Sequence, residues 1–306
     1  MIAKENTAVS TLIQDFNLLV DEPLKKYTSF RIGGPADLLA MPEDKLELKK
    51  LLKKAAALDI PVTLFGGGTN ILITDKGIRG LVVITKFLKS NIHITRADLQ
   101  GKTIYVEAGE NLSKVCRFAI QNSLSGLEYA AGIPGTVGGA IIMNAGTQSW
   151  EISDIVESID ILNKNTLAFE TIGKKELDFS YRQLKLSGII VAATLVLTKK
   201  PQGEIKKTFT ETLTKKNATQ PVSAASAGCF FKNPTKEKSA GELIEKSGLK
   251  GIKINDAMVS EKHANFIVNI NNASCEDILQ LKQYIQKIVS EKYHIKLETE
   301  VRLEGE

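Results

Sequence analysis

Residues that bind metals or form cross-links are scarce in these 306 residues: there are three cysteines, Cys116, Cys229 and Cys275, and three histidines, His93, His263 and His294. The cysteines are odd in number, far apart and without a CxxC pair, which argues against a disulfide framework and a zinc knuckle. No two histidines fall at HxH or HxxxH spacing, so no metal is expected. No apolar run approaches the roughly 20 residues needed to span a bilayer. The opening MIAKENTAVSTLIQDFNLLV is broken by Lys4, Glu5, Asp15 and Asn17. It therefore lacks a signal-peptide core and reads as a short amphipathic lead-in. A cytoplasmic protein with no membrane association is the expectation. Charge of one sign is also missing, since 40 Lys and Arg against 35 Asp and Glu leave only +5. That charge is spread over Lys-Lys pairs instead of clustering with aromatics, so no nucleic-acid partner is expected, only a mild attraction for small anions. Nothing in the pattern calls for an obligatory protein partner, and there is no internal repeat or low-complexity segment.

The chain is long for one hydrophobic core and suits two domains. Helical periodicity appears in LELKKLLKKAAAL, where Leu48, Leu51, Leu52 and Ala55 recur at i, i+3, i+4 and i+7. SKVCRFAIQNSL and CEDILQLKQYIQKIVSEKY are amphipathic as well, the second with Ser274 as cap and Ile278, Leu281, Ile285 and Ile288 on one face. Ser239 and Glu242 make a capping-box pattern that opens AGELIEKSG, and Gly248 can close that helix. PVTLF, TIYVEAG, GIIVAATLVLTKK and ANFIVNI read as strands. The fold class is α+β. A polar, charged stretch over residues 199–221 suggests a boundary near residue 205, although a helix packed on either half would also fit it.

Two glycine clusters stand out. PVTLFGGGTNILI places Gly66, Gly67 and Gly68 directly after a strand, where backbone N–H groups can face an anion with no Cβ in the way. It is not a Rossmann turn, because strand-like text follows where GxGxxG would open a helix, and it lacks the Gly-Lys-Ser/Thr of a Walker loop. AGIPGTVGGAIIMNAG, residues 131–146, has the same character. Either cluster alone is as well read as a tight turn. Two together, each beside apolar text, favour one diphosphate ligand held from two sides.

Seven segments, YTSFRIGGPAD, LFGGGTNILI, GIPGTVGGAIIMNAG, FSYRQ, SAGCFFKNP, VSEKHANFIVN and LETEVRLEG, resemble in order the signature segments of the UDP-N-acetylenolpyruvoylglucosamine reductases, flavoenzymes of bacterial cell-wall synthesis. The resemblance runs from about Tyr27 to the C-terminus. It implies an FAD-binding fold of the vanillyl-alcohol oxidase (PCMH) type over residues 1–205, in two subdomains split near residue 90. An α+β substrate-binding domain over 206–306 would follow. It implies non-covalent FAD on the glycine loops, since neither contains a histidine, with Gly66, Gly67, Gly68, Thr69, Asn70, Gly132, Gly135, Thr136, Gly139 and Ala140 as cofactor-binding residues. The substrates implied are NADPH and a UDP-sugar enolpyruvyl ether, reduced to UDP-N-acetylmuramate for peptidoglycan.

Hydride addition to an enolpyruvyl double bond builds charge toward the carboxylate, and the neighbouring carbon must collect a proton. The resemblance puts the family's proton-donating serine at Cys229, a departure that keeps an acidic proton, because a thiol is mostly protonated at neutral pH. Read alone, a single cysteine is more often a packing residue. Arg182 matches the arginine that stabilises the developing enolate or its carboxylate. In LETEVRL, alternation as a strand would project Glu300 and Arg302 the same way, about 7 Å apart. The bland reading of that pair is a solvated face. By resemblance Glu300 assists protonation or stabilises the enol, Arg302 orients it as a substrate-binding residue, and Lys232, Asn233 and His263 sit in segments that would face the substrate's diphosphate and nucleotide. The readings set against this one are another FAD-dependent oxidase or dehydrogenase of the same fold, a cysteine hydrolase with a histidine beside Cys229, and a non-catalytic nucleotide-binding module.

Overall fold

In the computed structural model of the chain, residues 7–88, 92–97, 99, 101–147, 150–235 and 237–306 are described. The expected subdomain split near residue 90 lies outside the described residues. The first subdomain is a four-stranded sheet in the order Leu19–Pro23, Pro35–Ala40, Ile78–Ile84, Val62–Phe65, with the last two contacts parallel. A parallel strand buries both faces, and alternation sorts its side chains between them. Leu81 and Val83 join Leu48, Leu51 and Ala55 of helix Lys45–Ala57 in one cluster, while Val82 and Ile84 join Leu24, Ile71 and Ile73 in the other. The helix starts where Asp44 accepts from the Leu46 and Glu47 N–H groups at 2.8 and 2.9 Å.

The second subdomain is an antiparallel sheet in the order Phe169–Gly173, Val156–Asn163, Gly188–Lys199, Gly101–Glu107, Ile92–Ala97. Helices Leu112–Gln121 and Val137–Ile142 contribute Leu112, Val115, Cys116, Val137 and Ile141 to its core. Across the expected cut at residue 205 runs a helix, Gln202–Thr219, whose Ile205 is buried and whose Phe209 packs on this second core. The packing boundary therefore falls after Thr219. The helix, the other reading of this stretch, thus packs on the first half, and its many lysines and threonines weaken the periodic signal because only one face meets protein.

The third core gathers residues 227–301, built from helices Ala240–Lys246 and Cys275–Tyr293 on the strands Lys253–Ile254, Ala257–Val259 and Ile267–Asn269. Ser274 and Asp277 make the capping box of the long helix, and Val289, not Ile288, completes its buried face. Ser239 accepts from the Glu242 N–H, whereas the Glu242 side chain turns to Lys246. Phe30, Ile32 and Leu72 enter this core from the first subdomain, and Asp75 accepts from the Cys275 N–H at 2.9 Å. The chain closes with strand Arg302–Glu304 beside Ile71–Ile73, parallel.

Candidate active site

The two glycine loops meet. A Cβ on Gly67 would lie 3.2 Å from the Gly135 Cα, and one on Gly68, at φ +63°, would collide with the Tyr27 carbonyl oxygen. Backbone thus approaches backbone only because these positions carry no side chain. Beside the contact lies a cleft of about 550 Å³ whose walls include Gly67, Thr69, Gly132, Gly135 and Thr136. Lys86 is the only charged side chain lining it among the described residues, its ammonium 5.8 Å from the Tyr27 ring centre and 5.0 Å from that of Phe87. A cradle walled by glycine backbone with one cation beside it fits the diphosphate of FAD.

Three of the expected cofactor residues are otherwise engaged. Thr136 caps the short helix Val137–Ile142 by accepting from Gly139 N–H at 3.2 Å, and its carbonyl accepts from Ala140 N–H at 2.9 Å. Ala140 itself is buried in the second core. Asn70 turns its amide toward the C-terminal segment, donating to the Glu300 carbonyl at 3.2 Å.

Arg182 sits at the turn of the hairpin Asp178–Ser180/Gln183–Lys185, in the left-handed region at φ +58°. Its Nη groups donate to the Asn144 and Gly146 carbonyls at 3.4 and 3.0 Å, its Nε lies 3.4 Å from Glu300 Oε1, and Glu151 is 4.0 Å away. Both Arg182 and Glu300 are largely buried, with 16% and 17% of their side chains exposed. Burial raises the Glu300 carboxyl above its ordinary value, with Arg182 and Lys232 pulling the other way. Cys229 follows Gly228 at φ +81°. Burial, then the Glu300 carboxylate, pushes its thiol up to about 12, opposed by Arg182 and Lys216. Together these groups can hold a carboxylate against a guanidinium and keep a proton on sulfur beside it.

The other expected substrate residues each have their own local partners. Lys232 acts on Glu300 and lies 4.0 Å from Glu298. Asn233 Oδ1 accepts from the Ala240 N–H at 3.1 Å, and its own N–H meets the Tyr181 hydroxyl at 3.4 Å. His263 stacks edge-on against Phe266 at 4.9 Å, and its Nδ1 accepts from the Asn265 N–H. Glu300 and Arg302 do not share a strand as the alternation suggested. The strand begins at Arg302, whose side chain is 57% exposed and pairs with Glu304 at 3.0 Å. The ladder starts so late because Glu300 N–H is taken by the Phe230 carbonyl at 2.9 Å.

Sequence reasoning missed Lys216 and the Arg182 clamp. Lys216 lies on the helix that was read as a boundary, its stem against Gly132. Burial lowers its ammonium to about 8, with Arg182 pushing the same way and Cys229 and Cys116 opposing. Asn144, only 1% exposed, donates to Glu151 at 2.7 Å and to the Ser180 carbonyl at 3.1 Å, fixing the loop that holds Arg182. Within MNAG, only its ability to adopt φ +39° gave a signal.

The sequence pattern of the UDP-N-acetylenolpyruvoylglucosamine reductase C-terminal domain matches residues 220–304, and that of an FAD binding domain matches residues 36–170. The reductase of Caldanaerobacter subterraneus subsp. tengcongensis is 41% identical over 298 residues, 96% of each chain. That of Agathobacter rectalis is 43% identical over 310 residues, 98% of each chain. The crystal structure of the Thermus caldophilus enzyme (MurB) superposes with a TM-score of 0.76 at 35% identity, covering 94% of this chain and 98% of that one. With relatives matched from end to end, the chain belongs to the UDP-N-acetylenolpyruvoylglucosamine reductase family.

Proposed function

We propose that the chain reduces the enolpyruvyl group of UDP-N-acetylglucosamine enolpyruvate to give UDP-N-acetylmuramate for peptidoglycan, with NADPH as reductant. The observation that carries this reading is the convergence of Arg182, Glu300 and Cys229. FAD, when bound, would supply the hydride chemistry that links NADPH to the vinyl carbon. Gly66, Gly67, Gly68, Thr69, Gly132, Gly135 and Thr136 would hold it through backbone, with Lys86 facing the diphosphate.

Arg182, clamped by two carbonyls and a carboxylate, meets the substrate carboxylate, so negative charge that develops there finds a cation already oriented. Cys229 holds the proton at Sγ, and its high pKa keeps the thiol protonated throughout the neutral range. Transfer of that proton to the carbon beside the carboxylate completes the addition across the double bond. Glu300, whose carboxyl is raised by burial and opposed by Arg182 and Lys232, stands on the same cluster and assists the protonation. Lys232 serves the substrate diphosphate, and Arg302 its exposed edge. Asn233 and His263 brace that face. A cytoplasmic setting accords with three free thiols and a need for NADPH, and among the described residues no helix is long and apolar enough to cross a membrane.

The test is an anaerobic absorption spectrum of the FAD-loaded protein. NADPH should bleach the flavin band, and the enolpyruvyl sugar nucleotide should restore it. A bleached band that this substrate leaves unchanged would falsify the assignment.

A further inference from the structure

The C-terminal segment carrying Glu300 is held from two sides by groups that differ in kind. On one side Glu300 N–H donates to the Phe230 carbonyl at 2.9 Å, one residue beyond Cys229. On the other, Arg302 N–H donates to the Asn70 carbonyl at 3.1 Å, the first rung of the parallel pairing of Arg302–Glu304 with Ile71–Ile73. A regular parallel ladder would place its next rung from the Asn70 N–H to the Glu300 carbonyl. Among the described residues that rung is made by the Asn70 side chain instead, whose Nδ2 donates to the Glu300 carbonyl at 3.2 Å and lies 3.4 Å from Met143 Sδ. Backbone carbonyl and side-chain amide of Asn70 thus both hold the C-terminal segment, one on each side of Val301.

We infer that Asn70 is a positioning residue for Glu300: its side-chain amide sets where the Glu300 carboxyl stands against Arg182 and Cys229. From sequence, Asn70 counts among the cofactor-binding residues, with no separate part given to its side chain. A rung lost here frees the peptide that follows Glu300 at its carbonyl end, and the carboxyl lies on that same residue, 3.4 Å from Arg182 Nε. A displacement of about 1 Å in a reacting group costs on the order of 100-fold in rate.

The inference rests on the flavoenzyme reading. Asn70→Leu, close in size but without the donor, and Asn70→Asp, which sets a carboxylate oxygen against the Glu300 carbonyl, are compared with the parent protein. FAD affinity is measured by flavin fluorescence on the apoprotein, and the two half-reactions by anaerobic stopped flow. FAD affinity is expected to stay within about twofold and flavin reduction by NADPH to hold its rate, while flavin reoxidation by the enolpyruvyl substrate slows about 10- to 100-fold with a displaced pH profile. Weakened FAD binding with unchanged reoxidation per bound flavin overturns the inference and makes the side chain a cofactor ligand. An equal fall in both half-reactions also overturns it, because a general structural defect would do that. A parent protein that binds no FAD instead brings down the flavoenzyme reading.

Discussion

Arg182 Nε stands 3.4 Å from Glu300 Oε1, although one residue sits in a hairpin turn, the other just before the last strand, and they are 118 positions apart in the chain (300 minus 182). The two Nη groups are spent on the Asn144 and Gly146 carbonyls, so the guanidinium plane is fixed before any substrate enters. Lysine keeps the charge but cannot make these planar contacts. Arg182→Lys is expected to lower kcat about 100-fold while leaving FAD affinity within about twofold. Steady-state rates beside a fluorescence titration check this, and an unchanged kcat would show that the clamp is not used.

The thiols yield a chemical prediction. Cys116, Cys229 and Cys275 are each pushed up to about 12, chiefly by burial. At pH 8 their thiolate fraction falls on the order of 1,000-fold below that of an unperturbed thiol, and alkylation follows the thiolate. The native protein should react with iodoacetamide far more slowly than the urea-unfolded chain, read by mass spectrometry. Rapid labelling of Cys229 alone would show that its proton is more weakly held than burial implies.

Function at Cys229 is tested separately from reactivity. Cys229→Ser keeps a protonated donor and should retain measurable turnover, whereas Cys229→Ala should lose about 100-fold or more, the scale of general-acid catalysis. Equal activity in all three proteins would remove Cys229 from the proton-transfer step.

Lys216 sets an alkaline limit. Its ammonium is lowered to about 8, so its charge is present below that pH and lost as pH rises through it. Turnover should fall on the alkaline side with a midpoint near that value, and Lys216→Arg, charged at all accessible pH, should move this limb upward. Superimposable pH–rate profiles would place the limb elsewhere.

Lys86 is the charged group in a cleft otherwise walled by backbone and neutral side chains. A charge-assisted bond to phosphate contributes roughly 1.5–3 kcal/mol, or about 10- to 100-fold in affinity. Lys86→Met should weaken FAD binding by that factor and flatten its salt dependence, because screening acts on the charge it removes. An unchanged dissociation constant at low salt would show that the glycine backbone alone neutralises the diphosphate.

Local chemistry was legible in the sequence. Periodicity announced the helices Lys45–Ala57, Leu112–Gln121 and Cys275–Tyr293, because an amphipathic face must repeat every three to four residues wherever it packs. Glycine announced the two loops, because only a missing Cβ lets Gly67 approach Gly135. The ordered motifs carried the family, and with it the expectation that Arg182, Cys229 and Glu300 act together. Tertiary structure decided what each polar group was free to do. Helix Gln202–Thr219, with its weak apolar face, joined the second core only through contacts such as Phe209, and this brought Lys216 to Cys229. The partner that fixed Glu300 was an amide on a cofactor loop 230 residues away, and Arg302 lost its expected place because the Phe230 carbonyl took the Glu300 N–H first. Hydrogen-bond partners of that kind are chosen by distance in space, and a spacing rule along the chain carries no information about them.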